Sequence, residues 1–347
     1  MAICLNLLVN LMLLEIEGAA LEVVSAVVSK NRVPIEHRLS GLIPDKKISR
    51  LKKRVGFEAF SVADKNLCSS DFCANAAEKI FTETNIERQE IRAIIFITQT
   101  ADYFLPATSH LLQERLKLPR DIVAFDVNLG CSGFVYGLYI AASLIQNLPD
   151  GKILLLCGET PTRNIFDDDI SGLSVFGDGG AAAVISKNIN QKIYFNLQTF
   201  GELANGIIMP RGAYRNPLTE LNVRENFAVM DGGRVIDFST KFVPPNLTEL
   251  TKFAGVETDL FLMHQANRLI LETLSEELNL PAENLPFRAE KIGNTSSASI
   301  PITLAEMARR GESLNKLAVM SGFGVGMSIA SAVIDLRNLI CLPTGEI

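Results

Sequence analysis

The chain has 347 residues, 48% of them hydrophobic and 21% charged, which allows a large core and excludes a disordered chain. A formal net charge of −6, with 33 Lys and Arg against 39 Asp and Glu, gives no basic face for nucleic acid. Six cysteines and three histidines show no metal-ligand spacing, so no metal site is expected, and the cysteines fit a reduced, cytoplasmic setting.

From the N-terminus, residues 1–14 are apolar but lack a basic leader and run into Glu15 and Glu17. They fall short of the ~20 apolar residues that span a bilayer and make a poor secretory signal. Residues 1–18 therefore read as a weakly ordered extension or a helix resting on the body, with no membrane attachment. The cluster Lys46-Lys47, Arg50, Lys52-Lys53-Arg54 is either a solvated helix face or a landing site for an acidic partner or a phosphate. Next, Ile94-Ile95-Phe96-Ile97 predicts a strand running into Thr98-Gln99, followed by an amphipathic helix and Leu118-Pro119. The apolar run Ile122–Phe125 leads into Asn128-Leu129-Gly130-Cys131-Ser132-Gly133 and then an apolar stretch from Phe134 to Ile145. A strand thus enters a glycine turn, with a cysteine at the start of a buried helix. Backbone N–H groups and the helix dipole there favour thiolate, the nucleophilic form; a small core thiol is the alternative. The strand Lys152–Leu156 and the turn Ser174–Gly180 follow, with Asp178 expected to cap local N–H groups.

The second half repeats the first. Ile94–Gln99 returns as Leu260–Gln265, 166 residues later, again followed by an amphipathic helix and a Leu-Pro pair, Leu280-Pro281. Gly130-Cys131-Ser132 returns as Gly293-Asn294-Thr295, and Lys152–Leu156 as Lys316–Met320. A strand–helix pattern duplicated in this way predicts two lobes, residues 19–190 and 191–340, built on parallel sheets and related by a pseudo-twofold axis. Ligands in open α/β sheets bind beyond the carboxyl ends of the strands. His264 alone would read as structural and Asn294 alone as a turn residue. The repeat instead places Cys131, His264 and Asn294 after matching strands at one cleft. A third glycine turn, Ser321–Gly326, lets backbone N–H groups approach a ligand closely.

A cysteine with a histidine and an asparagine, and no carboxylate partner legible, suits acyl transfer from a thioester. Neutral imidazole and amide then donate hydrogen bonds to a thioester oxygen that becomes an enolate, each preorganised donor lowering the barrier by roughly 3–4 kcal/mol. Loss of carbon dioxide from a malonyl group supplies that enolate.

At this point the chain resembles the β-ketoacyl-acyl-carrier-protein synthase III family over roughly residues 20–336. The resemblance rests on Asn128-Leu129-Gly130-Cys131-Ser132-Gly133, His264-Gln265-Ala266-Asn267, Gly293-Asn294-Thr295-Ser296-Ser297 and Gly322-Phe323-Gly324-Val325-Gly326. It implies a thiolase-like α/β fold: two αβαβαββ lobes stacked into five α-β-α-β-α layers, in a homodimer. It further implies that Cys131 is acylated, that His264 and Asn294 promote malonyl decarboxylation, and that the N–H groups of Cys131 and Val325 form the oxyanion hole. Substrate contacts would fall on Leu105, Phe323, Gly324, Asn267, Arg54 and Arg268. No cofactor is implied, because coenzyme A or carrier phosphopantetheine thioesters are the substrates. The partners implied are an acyl-carrier protein, an acyl-CoA or acyl-carrier donor, and malonyl-acyl-carrier protein.

Thiolases need a second cysteine near the last glycine turn, which Ser321–Gly326 lacks, and hydroxymethylglutaryl-type synthases want a glutamate acid. Members that use acetyl-CoA stack its adenine between a tryptophan and an arginine. This chain has no tryptophan, Arg50 lies near that place, and Ile170 stands at the arginine's. Arg268-Leu269 reverses the family's common order, and Leu105 stands where a residue often reaches into the partner's acyl pocket. A specialised synthase, or one whose donor arrives on a carrier, is the expectation. The alternatives are acyl transfer to a heteroatom and a non-catalytic subunit of a heterodimeric synthase.

Overall fold

The computed structural model describes residues 12–218 and 223–347. Its principal strands are β1 (Leu13–Val28), β2 (Ile91–Ile97), β3 (Val123–Val127), β4 (Lys152–Glu159), β5 (Gly179–Thr199), β6 (Phe261–Met263), β7 (Leu317–Gly324) and β8 (Ser328–Asp335). The principal helices are α1 (Asp45–Val55), α2 (Ser69–Glu83), α3 (Thr108–Arg115), α4 (Gly133–Ile145), α5 (Gly232–Ala254), α6 (Arg268–Glu277) and α7 (Ser299–Arg309). Among the described residues no helix is long and apolar enough to cross a membrane.

The strands follow the order β6-β7-β8-β5-β4-β2-β3, with β1 beside β5. Strand side chains alternate between the two faces of a sheet, and here both faces are apolar. In β2, Ile95 and Ile97 pack with Phe134, Leu138 and Ala142 of α4, while Ile94 and Phe96 pack with Phe72, Ala76 and Ile80 of α2. In β7, Ala318 and Met320 join the α4 and α7 cluster, while Val319 and Phe323 join Leu247 of α5 and Leu271 of α6. The layers are therefore α2 with α3, the first sheet, α4 with α7, the second sheet, and α5 with α6. This is the expected five-layered thiolase-like fold. Each fully buried Leu, Ile or Phe contributes roughly 1.5–3 kcal/mol, so the doubly covered sheets dominate the core.

The sheets are mixed, which corrects the parallel expectation. β2 runs parallel to β3 and β4, and β6 runs parallel to β7. β7 and β8 are antiparallel, with Gly324 opposite Ser328. A parallel return needs a crossover of a dozen or more residues, and a connection this short permits only a hairpin.

Two long strands join the lobes. β1 pairs Gly18–Val28 with β5 residues 179–188 in the first lobe, and Leu13–Glu17 with residues 192–196 in the second. The register breaks between Glu17 and Gly18, where Gly18 has φ +84°, a left-handed conformation suited to glycine. The expected lobe boundary at residue 190 thus falls inside β5, at this break. The expected extension needs correcting as well: residues 13–18 belong to β1, held by β5 and by Lys192 pairing with Glu15 and Glu17. The rest of that extension, residues 1–11, lies outside the described residues.

Candidate active site

β3 ends at Val127, and a turn carries the chain through Gly130 and Cys131 to Ser132, which precedes the first helical residue of α4, Gly133. Cys131 is 7% exposed. The turn after β7 closes over it. A Cβ placed on Gly324, whose φ is +147°, would sit 2.9 Å from both Cβ and Sγ of Cys131, so only glycine fits. The backbone N–H groups of Val325 and of Cys131 itself hydrogen-bond the thiol, and Ser296 Oγ lies 3.9 Å from Sγ. These contacts favour thiolate, but burial outweighs them and pushes the thiol above its ordinary value. The expected pull of the helix terminus and turn toward thiolate is thus opposed by burial.

His264 follows β6 directly, and its N–H donates to Ser321 O of β7. It is 1% exposed, and burial drives its imidazole down to about 3, so the ring is neutral. Nδ1 lies 2.7 Å from Ser299 Oγ at the start of α7, and Nε2 lies 3.3 Å from Nδ2 of Asn294. The edge of Phe323 meets the ring at 5.7 Å between centroids. Asn294 sits in a turn anchored on the segment 175–177, through Asn294 N–H to Val175 O at 2.9 Å and Gly177 N–H to Asn294 O at 3.1 Å. Ser296 adopts φ +50°, uncommon outside glycine, and its N–H donates to Asn294 Oδ1 at 2.9 Å. That bond turns the Asn294 amide nitrogen toward His264. Asp178, fully buried, accepts from Ala63 N–H and from Thr162 N–H and hydroxyl, so its capping reaches further than local groups.

Cys131, Ser296 and Val325 line a cavity of 870 Å³, and Tyr103 and Phe104 stand in its wall. The wall also holds Glu159, which the sequence reading missed. Its only legible signal was its place at the end of an apolar strand, where His264 and the Cys131 turn also fall. The other expected contacts scatter. Asn267 is the N-cap of α6, its side chain accepting from Ile270 N–H at 2.9 Å, which explains the residue without a substrate. Arg268 stacks on Phe287 with its guanidinium 5.2 Å from the ring centroid, and Arg54 is exposed in the last turn of α1. Leu105 is 75% exposed beside the cavity wall. Among the described residues, no group of three or more His, Cys, Asp and Glu side chains could hold a metal ion.

Two family models match the chain: the C-terminal model of 3-oxoacyl-acyl-carrier-protein synthase III over residues 251–336, and the synthase III model over residues 125–201. A Campylobacter jejuni protein, provisionally named a 3-oxoacyl-acyl-carrier-protein synthase 3, is 33% identical over 90% of this chain and 92% of its own. A β-ketoacyl-acyl-carrier-protein synthase III from Syntrophomonas wolfei is 33% identical over 80% of this chain and 85% of its own. Among solved structures, a 3-oxoacyl-acyl-carrier-protein synthase from Burkholderia xenovorans superposes with a TM-score of 0.91 at 31% identity, covering 96% of this chain and 99% of that one.

Proposed function

The chain belongs to the β-ketoacyl-acyl-carrier-protein synthase III family, and on that premise we propose that it joins an acyl group carried on Cys131 to a malonyl unit on an acyl-carrier protein. The observation that supports this best is the convergence of a neutral His264 and the Asn294 amide, 3.3 Å apart, with Asn294 two residues before Ser296, which lines the cavity together with Cys131. In the first half-reaction Cys131 Sγ attacks the thioester carbonyl of the donor. The carrier or coenzyme thiol leaves and takes up the cysteine's proton. The N–H groups of Cys131 and Val325, which favour negative charge on the thiol, stabilise the oxyanion of the tetrahedral intermediate.

In the second half-reaction the malonyl thioester oxygen accepts from His264 Nε2 and Asn294 Nδ2. This step needs the ring proton on Nε2, the tautomer in which the Ser299 hydroxyl, 2.7 Å from Nδ1, donates to that nitrogen. The malonyl C–C bond breaks and carbon dioxide leaves. The enolate carbon then forms its bond to the acyl carbonyl, and the Cys131–acyl bond breaks to release the thiolate, which takes a proton from water to return the thiol. The product is a 3-oxoacyl thioester. Neutral donors suit this step, because the charge that develops is one negative charge on oxygen.

Exposed Lys46, Lys47, Arg50, Lys53 and Arg54 on α1 form the surface on which an acidic carrier would dock. With no tryptophan in the chain, a carrier-borne or specialised acyl donor fits better than acetyl-CoA. The proposed assembly is a homodimer in which exposed Phe104 and Leu105, 82% and 75% accessible, meet the partner; a monomer by sedimentation velocity removes that part.

Intact-mass spectrometry tests the mechanism. The protein is mixed with acyl-CoAs and acyl-carrier thioesters of graded chain length. One donor should add its acyl mass to the wild type and nothing to C131A. No mass gain with any donor overturns the acyl-enzyme.

A further inference from the structure

Glu159 ends β4 at 1% exposure and is the most deeply buried carboxyl group in the wall of the Cys131 cavity. Its hydrogen-bond partners are all neutral. It accepts from Gln99 N–H at 3.1 and 3.2 Å and from the Thr100 hydroxyl at 2.9 Å, both just past β2 in the first lobe. It also accepts from the Ser297 hydroxyl at 3.1 Å, across 138 residues of sequence, in the second lobe.

Ser297 sits in the middle of the segment that aims both enolate donors. Asn294 opens the segment, Ser296 N–H fixes the Asn294 amide, and Ser299 Oγ holds His264 Nδ1. One side chain of the nucleophile's lobe therefore grips the backbone turn on which His264 and Asn294 are oriented. The oxyanion turn has a separate tie to the same lobe: Ser132 Oγ and Ser328 Oγ meet at 2.8 Å, and Gly322 packs on the Cys131–Ser132 backbone. The two half-reactions thus lean on different inter-lobe contacts, the Glu159–Ser297 bond acting beside the backbone bonds of Asn294 to Val175 and Gly177.

We propose that Glu159 is a positioning residue for the decarboxylation half-reaction, tethering the segment 294–299 to the lobe that carries Cys131. The proposal rests on the roles given above to Cys131, His264 and Asn294. Glu159 works as the neutral acid: burial pushes its carboxyl up to about 8, and its proton goes to one of the two hydroxyls, which then turns to donate onward, Ser297 Oγ to Ile97 O or Thr100 Oγ1 to Thr98 Oγ1. The titratable groups around it are Asp178 and the thiols of Cys73, Cys157 and Cys131, none of them cationic. A carboxylate here would also oppose the enolate.

The test measures the half-reactions separately in E159A, E159Q and S297A: acylation of Cys131 by intact mass, and carbon dioxide release from malonyl-acyl-carrier protein. A misplacement of the order of 1 Å can slow a reaction about 100-fold, and E159A should lose about that much decarboxylation while acylating at near wild-type rate. E159Q, a neutral group of the same shape, should restore decarboxylation to within about threefold of wild type. S297A removes only the inter-lobe donor and should show the same split at about tenfold, which keeps the test open should E159A fail to fold. The proposal is overturned by wild-type decarboxylation in folded E159A or S297A, by equal loss of both half-reactions in S297A, or by E159Q as slow as E159A. A wild-type protein that neither acylates nor decarboxylates overturns the condensing function itself, and Glu159's role with it.

Discussion

Burial acts on Cys131 and His264 in opposite chemical directions with one electrostatic result. The thiol is pushed up and the imidazole is pushed down, so both are neutral near pH 7. The pH behaviour of the two half-reactions should therefore differ. Acylation needs the thiolate, whose fraction grows with pH below a raised pKa, so its rate should climb about tenfold per pH unit from about pH 6 to 8. Decarboxylation needs neutral His264 and neutral Glu159; the ring titrates near 3 and the carboxyl near 8, so its rate should stay flat from about pH 6 to 7 and fall toward pH 8. Single-turnover acylation and malonyl decarboxylation measured across the range check both slopes. A decarboxylation rate that falls as pH drops from 7 to 6 would show that His264 titrates in the ordinary range.

Cys131 and His264 were legible because each follows an apolar strand and breaks its pattern with a polar side chain; the strand expected before Asn294 is absent, and the structure sets that residue in a turn bridged to Phe176. Cys131, His264 and Asn294 also recur at matching places in a repeat. Glu159 shares the strand-end position but lacks a partner in the sequence, since Ser297 joins it only when the lobes close. Asn267 misled for the converse reason. An asparagine before Arg268-Leu269-Ile270 is as good a helix cap as a substrate ligand, and the structure uses it as a cap.

At the scale of elements, the catalytic geometry is made by turns where strands end. The turn after β7 brings Val325 N–H to the thiol, and it can do so only because Gly324 has no side chain. Gly324→Ala combines two penalties: an L-residue at φ +147°, and a Cβ at 2.9 Å from Cys131 Sγ. Moving that turn should slow acylation by about 100-fold and lower the melting temperature. Time-resolved intact mass of the variant, with its thermal unfolding, checks both effects. Wild-type acylation by the alanine variant would mean that the β7 turn does not build the oxyanion hole. Side-chain periodicity predicted the strands that lead into these turns. It carried no information on the turns' left-handed residues, Gly324 and Ser296, because positive φ is set by what packs around a turn.

At the scale of the molecule, the two lobes are less separable than a duplicated sequence implies. A repeat marks equivalent elements but not strands that run through both copies. β1 and β5 each contribute to both sheets, changing lobe at the register break beside Gly18 and Asn188. α4 and α7 share one central cluster with Ile97 and Leu155 of the first sheet and Met320 and Ile334 of the second. Neither lobe can cover its inner face alone. A fragment ending at Asn188 would keep β2, β3 and β4 but expose the α4 face that meets β7, β8 and α7. It would also leave Leu13–Glu17 without a β5 partner. Large exposed apolar faces drive association. Such a fragment should therefore give no cooperative thermal transition and should self-associate, whereas the full chain should unfold in a single transition. Calorimetry and light scattering on both decide the matter: a monomeric fragment that melts cooperatively would show that the first lobe folds alone, and that the shared strands fasten together two independent units.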